Sequence, residues 1–505
     1  MASPLKKLAG QTAVYGLSSI IGRFLNYLLT PLYTSSQLGF APEQYGIITE
    51  MYAYVAFLVV FLTYGMETAF FRYFSKPDSD PSKTYSTTLW SLVISSFTFI
   101  TLVSVFAQPI AETLGYPNHS EYISWFGIIV GLDALVAIPL AKMRAENKAG
   151  RFVMVNYAFI GLNIGLNLLL FLYCIPAYKA GASNWFIETF YNPEIGVGYV
   201  FIINLIASVG RFALVLPDML RARFTFDSDQ WKKMFRYAFP LLIAGLAGII
   251  NETLDRAMLK WMLFAELGEV ATMAQLGIYG ACYKLSIIIT LCIQAYRYAA
   301  EPFFFDQSGD SNAPKTYARM LHLFFAFVML VFVGVTLFID VFKFFIPNEA
   351  YWIGLDVVPI LLLANVFLGV YYNLSVWYKV TDKTIYGSYI AIFGALITIG
   401  LNLVLIPVLG FRGSAWATLV CYFSMAVLGY LFGQRFYPIP YNLPKMAGYL
   451  VLGLGLFLLD YYFLSVESAL NYFFKSLLVL VFIARILYFE FYNRNKHEHP
   501  STNSQ

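Results

Sequence analysis

Nine ionisable side chains in or at the ends of long apolar runs of this 505-residue chain are the first candidates for chemistry: Arg23, Glu67, Arg72, Glu252, Asp255, Arg256, Lys284, Arg297 and Glu301. Five are cations and four are acids. Elsewhere charge is scarce. Charged residues make up 12% and hydrophobic residues 59%, against about 25% and about 45–50% in an ordinary soluble domain. A charge at the centre of a bilayer costs about 2.5–3.5 kcal/mol even on the lenient insertion scale. A chain that keeps several therefore buries them against a partner or turns them to a polar cavity.

Spacing separates these two cases in part. Glu252 and Arg256 are four residues apart on one helical face, as are Arg297 and Glu301. Each couple is either a self-neutralising pair or a pair of ligand groups. Arg72 and Glu301 lie near the ends of their runs, where they either snorkel to the membrane surface or face the cavity. Arg23 and Lys284 have no opposite charge three or four residues away and are the better binding candidates. Asp255 suits a counter-ion to them or an ion-coupling site. Asp133, Arg211, Asp460 and Arg485 are scattered singly, which fits packing or snorkelling.

Other chemistry is not encoded. Cys174, Cys282, Cys292 and Cys421 sit in apolar runs with no CxxC, so they read as small buried hydrophobes. His322 and the other histidines form no metal-spaced cluster, and no metal or cofactor site is expected. No Gly-rich phosphate loop ending in Lys-Ser/Thr occurs, which argues against direct ATP hydrolysis. Asn118-His119-Ser120 matches a glycosylation acceptor as a bare tripeptide only. No catalytic residue and no nucleic-acid partner is expected.

The elements that must position the charges are membrane helices. About 20 apolar residues cross a hydrocarbon core. Fourteen such runs are read, at 12–34, 45–73, 86–110, 121–141, 152–175, 197–218, 237–261, 276–300, 317–342, 355–378, 385–408, 413–435, 446–464 and 471–491. They are continuous rather than alternating, so a β-barrel is disfavoured. The composition likewise excludes a disordered chain and argues against a soluble enzyme. Lys6 and Lys7 precede a first run too long for a cleavable signal. Loop basic residues divide 21 to 5 between the two sides, with Lys179, Lys260, Lys343, Arg412 and Lys475 as the five. By the positive-inside rule both termini are then cytoplasmic.

The runs repeat. Ile164-Gly165-Leu166-Asn167-Leu168 recurs as Ile399-Gly400-Leu401-Asn402-Leu403, and the same offset carries Arg144 onto Lys379 and Lys148 onto Lys383. A shift of 231 places Gly46-Ile47 on Gly277-Ile278 and Tyr52 on Tyr283. Runs 1–6 thus resemble runs 7–12 in parallel orientation, with an axis along the membrane normal and a substrate path between the halves. The expected architecture is an all-α polytopic membrane protein with two pseudo-symmetric six-helix lobes. Residues 1–224 and 225–437 form the lobes, 438–493 two additional C-terminal helices, and 494–505 a polar cytoplasmic tail. Runs 1, 2, 7 and 8, equivalent in the two halves, carry most of the deep charge.

These features resemble the multidrug/oligosaccharidyl-lipid/polysaccharide exporter superfamily, and within it the polysaccharide-biosynthesis (Wzx-type) flippases. The resemblance rests on Gly22-Arg23 through Pro31-Leu32-Tyr33-Thr34, on Tyr45-Gly46 and Glu67 through Phe70-Phe71-Arg72-Tyr73, and on Arg144-Ala145-Glu146 to Arg151-Phe152 after Pro139. It continues in Leu401-Asn402-Leu403 through Ile406-Pro407, then Gly410, Gly413 and Ala415 to Thr418. It covers roughly residues 10–437.

The resemblance implies flipping of an undecaprenyl-diphosphate-linked oligosaccharide across a bacterial inner membrane by alternating access, without enzymatic turnover. It implies that Arg23, Arg256 and Lys284, with Arg297 and Arg72, face the diphosphate, since cations bind phosphate oxygens strongly in a low dielectric. It implies coupling to a proton or sodium gradient through Glu67, Asp255, Glu301 or Glu252. Membrane lipid and other glycan-assembly proteins are the remaining partners. Runs 13 and 14 would form a lipid-tail groove, as in related peptidoglycan-precursor flippases. The alternatives are a peptidoglycan-precursor flippase, a multidrug cation antiporter of the same superfamily, and a membrane glycan polymerase or ligase. The last would be expected to present a large outward loop. The glycan carried, the coupling ion and the oligomeric state are not written in the sequence.

Overall fold

The computed structural model describes residues 20–76, 80–182, 184–223, 225–306, 310–464 and 468–492, with the side chains at 299, 301, 302, 305, 306, 491 and 492 outside the description. Among the described residues the chain is helical and has no strand. Among the described residues twelve helical stretches are long and apolar enough to cross a membrane, against fourteen expected runs; one of them, Ser228–Tyr298, covers two of those runs. They fall on the expected runs, from Pro42–Phe74 to Ala469–Glu490. The first expected run, 12–34, begins outside the described residues; its described part is helical from residue 20.

One difference from the expected pattern is the loop read between 261 and 276. Ser228–Asp306 is a 79-residue stretch whose one non-helical residue is Gly268, at φ 75 and ψ 174. A residue with a Cβ is strained at that positive φ, so a single glycine separates the two expected spans. Asp227 starts this stretch. Its Oδ1 accepts from the Asp229 and Gln230 amides at 2.9 Å, and its Oδ2 meets Lys83 Nζ at 2.6 Å. The Lys83 hydrogen bond, then the backbone amide, hold its carboxyl at about 2. A second break comes at Tyr64 and Gly65, both at positive φ, which separate Pro42–Thr63 from Met66–Phe74 and so set the direction of Glu67.

The described residues form two compact units. The first comprises the described parts of Met1–Ala281, Asn348–Tyr351 and Ala391–Ala417. The second comprises those of Cys282–Pro347, Trp352–Ile390 and Thr418–Gln505.

Within the first unit two helices touch backbone to backbone. A Cβ on Gly46 would lie 2.1 Å from the Met273 carbonyl oxygen, and one on Gly277 1.8 Å from that of Pro42. One turn on, a Cβ on Gly280 would lie 2.3 Å from Thr49 Oγ1. Gly46 and Gly277, like Thr49 and Gly280, are equivalent under the 231-residue shift. The contact is therefore reciprocal: each member of an equivalent pair meets the helix of the other. A local two-fold axis between repeated helices produces this pattern. Small residues at such a crossing let membrane helices approach closely, where lipid supplies no hydrophobic drive for association.

Gly277→Val should therefore lower the thermal midpoint of the detergent-purified protein sharply, because overpacking against rigid backbone costs about 1–3 kcal/mol or more. Gly248→Ala, where a Cβ meets nothing within 4 Å, should leave the midpoint level or slightly raised, as Ala favours a helix over Gly.

Candidate functional site

The candidate charges divide by exposure. In the first unit Arg23 is exposed on its helix and has no hydrogen-bond or ion-pair partner among the described residues. Glu252 is also exposed. The Arg256 guanidinium donates to the Glu252 backbone carbonyl at 2.9 Å, so the expected couple meets through the main chain here. Asp255, one residue on, is buried at 3% exposure. Its Oδ2 accepts from the Tyr279 hydroxyl at 2.5 Å and its Oδ1 from the Arg256 amide at 2.9 Å. Arg72 is exposed and lies 4.1 Å over the Tyr237 ring. Glu67 is bound by the Arg144 guanidinium, which also lies 5.0 Å over Phe71.

In the second unit Lys284 is half-buried and engaged. Arg297 is half-buried with its guanidinium 4.2 Å over Tyr372. The Glu301 side chain lies outside the described residues, so the expected Arg297–Glu301 couple does too.

Two lysines counted among the five loop cations are in fact deep in the protein. Lys260 is 5% exposed on the long helix, and its Nζ meets Glu50 Oε2 at 2.8 Å. Glu50 is fully buried, four residues past Gly46 on the same helix face. Glu50 also accepts from the Tyr54 hydroxyl at 2.9 Å and from the Tyr116 hydroxyl. Lys260 donates in addition to the Leu114 carbonyl and lies 4.1 Å over the Tyr116 ring. Such a pair is tolerable because both carboxylate oxygens and the ammonium have further polar partners. Its two halves are 210 residues apart, so no local spacing announces it.

Lys475 is likewise 1% exposed, with Asp340 at 2.7 Å and Asp460 at 3.2 Å. Asp133 and Arg211 also meet, at 3.7 Å, while Arg211 donates to Asn156 at 3.3 Å. Asp133, Arg211 and Asp460, read as single charges, are therefore members of ion pairs.

Beside the Glu50–Lys260 pair lies a cavity of about 500 Å³ lined by Ala53, Tyr54, Phe57, Leu254, Met258 and Trp261, among others. Its wall is apolar except near Tyr54, whose hydroxyl accepts from Trp261 Nε1 at 3.0 Å. Tyr54 thus bridges the buried ion pair and the cavity rim. The arrangement offers apolar space against a fixed polar edge, which suits an amphipathic guest.

Removing one member of the buried pair should cost far more than removing both. Lys260→Met should destabilise by about 3–5 kcal/mol because Glu50 is left buried and unmatched. The double variant Glu50→Leu/Lys260→Met should recover most of that loss, read as the thermal midpoint in detergent.

No curated protein matches the chain in sequence. Solved structures match in fold. A structure titled as the lipid II flippase MurJ in an inward closed conformation superposes with a TM-score of 0.71 at 15% identity, covering 94% of this chain and 98% of that one. An inward-facing multidrug resistance MATE family transporter of the MOP superfamily gives a TM-score of 0.60 at 15% identity, covering 85% and 96%. A MOP superfamily transporter from Pyrococcus furiosus gives 0.54 at 14%, covering 89% and 99%. The fold is thus that of the MurJ and MATE transporters, and the chain is a multi-pass membrane protein. The family described as "Polysaccharide biosynthesis protein" matches residues 8–307, more than half of the chain, and to that family this protein belongs.

Proposed function

We propose that the protein is a flippase that carries a lipid-linked oligosaccharide across the inner membrane of a bacterium by alternating access, with both termini in the cytoplasm. One observation carries the reading: Glu252 is exposed within the membrane-spanning stretch Ser228–Tyr298, and Arg23 is exposed on the short helix described from residue 20. A charge left uncovered at such depth is stable only where water or a polar guest reaches it. A water-filled path between six-helix lobes 1–224 and 225–437 meets that requirement. The family supports a glycan precursor as cargo, and the fold, shared with a lipid flippase and with drug transporters, supports movement of an amphipathic molecule.

The roles then follow from charge. Arg23, Arg256 and Lys284, with Arg297 and Arg72, meet the diphosphate of the carrier lipid. The apolar cavity beside Tyr54 accepts part of its hydrocarbon. Asp255, held by Tyr279, is the foremost acid for coupling to a proton or sodium gradient, with Glu67, Glu252 and Glu301 as further candidates. The protein moves its substrate without making or breaking a covalent bond. A peptidoglycan precursor is the second reading, because the carrier lipid is common to both and only the glycan differs.

Arg23→Ala and Lys284→Ala should each reduce surface glycan at unchanged protein level, with lipid-linked intermediates accumulating inside. Full export by both variants would remove the cavity assignment. Undiminished surface glycan after deletion, in a strain without a second flippase and with no lipid-linked build-up, would overturn the function itself. Complementation of a strain lacking its peptidoglycan-precursor flippase would favour the second reading.

A further inference from the structure

One cation cluster takes no part in the proposed path. It lies where Leu443–Phe463 begins and Ala469–Leu487 ends, all within the second unit. Lys445 and Arg485 approach there from the two helices. Lys445 is neutralised: its Nζ meets Glu490 at 2.7 Å, and Glu490 also accepts from the Tyr449 hydroxyl at 3.0 Å. Arg485 is not. No described carboxylate lies within ion-pair distance of it, and its buried Nε donates to no described residue. Instead, the guanidinium is framed by apolar and aromatic groups. It lies 4.9 Å over Phe489 and 5.8 Å from the Tyr449 ring centre.

Glycine makes the room. A Cβ on Gly448 would lie 2.4 Å from Arg485 Nη2. Gly448, with Lys445 and Tyr449, shares one face of its helix at three- and four-residue spacing. The cluster thus holds two cations and one carboxylate, a net positive charge. Its unmatched member is an arginine, whose planar fork suits phosphate.

Depth narrows the ligand. Arg485 is five residues before Glu490, about 7.5 Å along a helix, near the end that loop charges assign to the cytoplasm. From there an arginine side chain is long enough to reach headgroup phosphates, and basic pockets between helices on this side of a membrane are suited to anionic headgroups. The two helices leave apolar side chains such as Val451, Leu480 and Leu487 uncovered, at 69%, 58% and 53%. An acyl or polyprenyl chain can therefore lie along them while its phosphate meets the guanidinium.

We propose that Arg485, set over Gly448 between Tyr449 and Phe489 with Lys445 beside it, binds the phosphate of a lipid at the cytoplasmic end of the last two membrane helices. The chemistry is shared by two sources: an anionic phospholipid of the inner leaflet and the diphosphate of a polyprenyl carrier. The site uses none of the residues assigned above to the diphosphate and does not depend on which glycan is carried.

The test is native mass spectrometry of the full-length protein in detergent, titrated separately with phosphatidylglycerol, undecaprenyl diphosphate and phosphatidylcholine. Wild type should retain at least one of the first two in preference to phosphatidylcholine, and Arg485→Ala should weaken that retention about tenfold. Gly448→Ala, which keeps the charge but displaces the guanidinium, should weaken it as well, and Arg485→Lys should restore part of it. Loss confined to phosphatidylglycerol assigns a phospholipid site; loss confined to the diphosphate assigns a docking point for the carrier. Equal retention by wild type and Arg485→Ala for both anionic lipids, with matching thermal midpoints, overturns the proposal.

Discussion

Helix-on-helix contact without side chains is the constraint on which the first unit depends. In lipid, two apolar helices gain nothing by leaving one another's hydrocarbon surroundings, so close packing and polar contacts must hold them. The Gly46–Gly277 crossing supplies the packing, at backbone distance and in reciprocal register. One helical turn away, Glu50 and Lys260 supply the polar contact, closed by Tyr54 and Tyr116. The two features join different segments to Pro42–Thr63: the glycine crossing brings in the helix after Gly268, and the ion pair the helix before it. An ion pair offsets its desolvation only in a fixed geometry, and the crossing fixes one of the two helices that carry it. Gly46 and Gly277 are equivalent in the repeat, and a Cβ on Gly277 would lie 2.9 Å from the Gly46 nitrogen, so the two copies meet at the crossing.

The membrane charges then fall into two kinds. Glu50–Lys260, Asp133–Arg211 and the Asp340–Lys475–Asp460 group are matched inside the protein, each joining segments distant in sequence. Breaking such a group leaves a charge uncompensated, so each favours a single arrangement of its helices. Arg23, Arg72 and Glu252 are exposed instead. An exposed charge on an apolar helix does not lock the fold. Asp255 stands between the kinds: buried, yet balanced by a neutral tyrosine rather than a cation. In this it differs from Glu67, which the Arg144 guanidinium binds.

What the sequence made legible follows from the range of the forces involved. Membrane helices announce themselves because about 20 apolar residues in a row have few other uses, and the observed helices lie on the expected runs. The repeat was legible through Gly46 and Gly277, though not their mutual contact, which needs the fold. The loop expected around 262–275 was a misreading: charged, exposed residues such as Glu266 and Glu269 look like a loop, yet the chain stays helical there except at Gly268. Lys260 and Lys475 were placed among loop cations for a related reason. Each lies at the polar margin of its apolar run, and only partners such as Glu50 or Asp340, more than a hundred residues away, draw it inward. Spacing within one helix reveals an i,i+4 couple; it is blind to charges matched across the fold.

The same reasoning separates Arg485 from the other cations. Every positive group deep in the structure has a choice between a carboxylate, an aromatic face and water. Lys260 and Lys475 use carboxylates and are almost fully buried. Arg72 and Arg297 use aromatic faces. Arg485 has aromatic faces too, but its Nε is closed off from solvent as well as from any acceptor. A cation–π contact satisfies the charge only in part and does nothing for the in-plane N–H donors. The guanidinium is therefore stabilised on its faces while its Nε–H goes unmatched among the described residues.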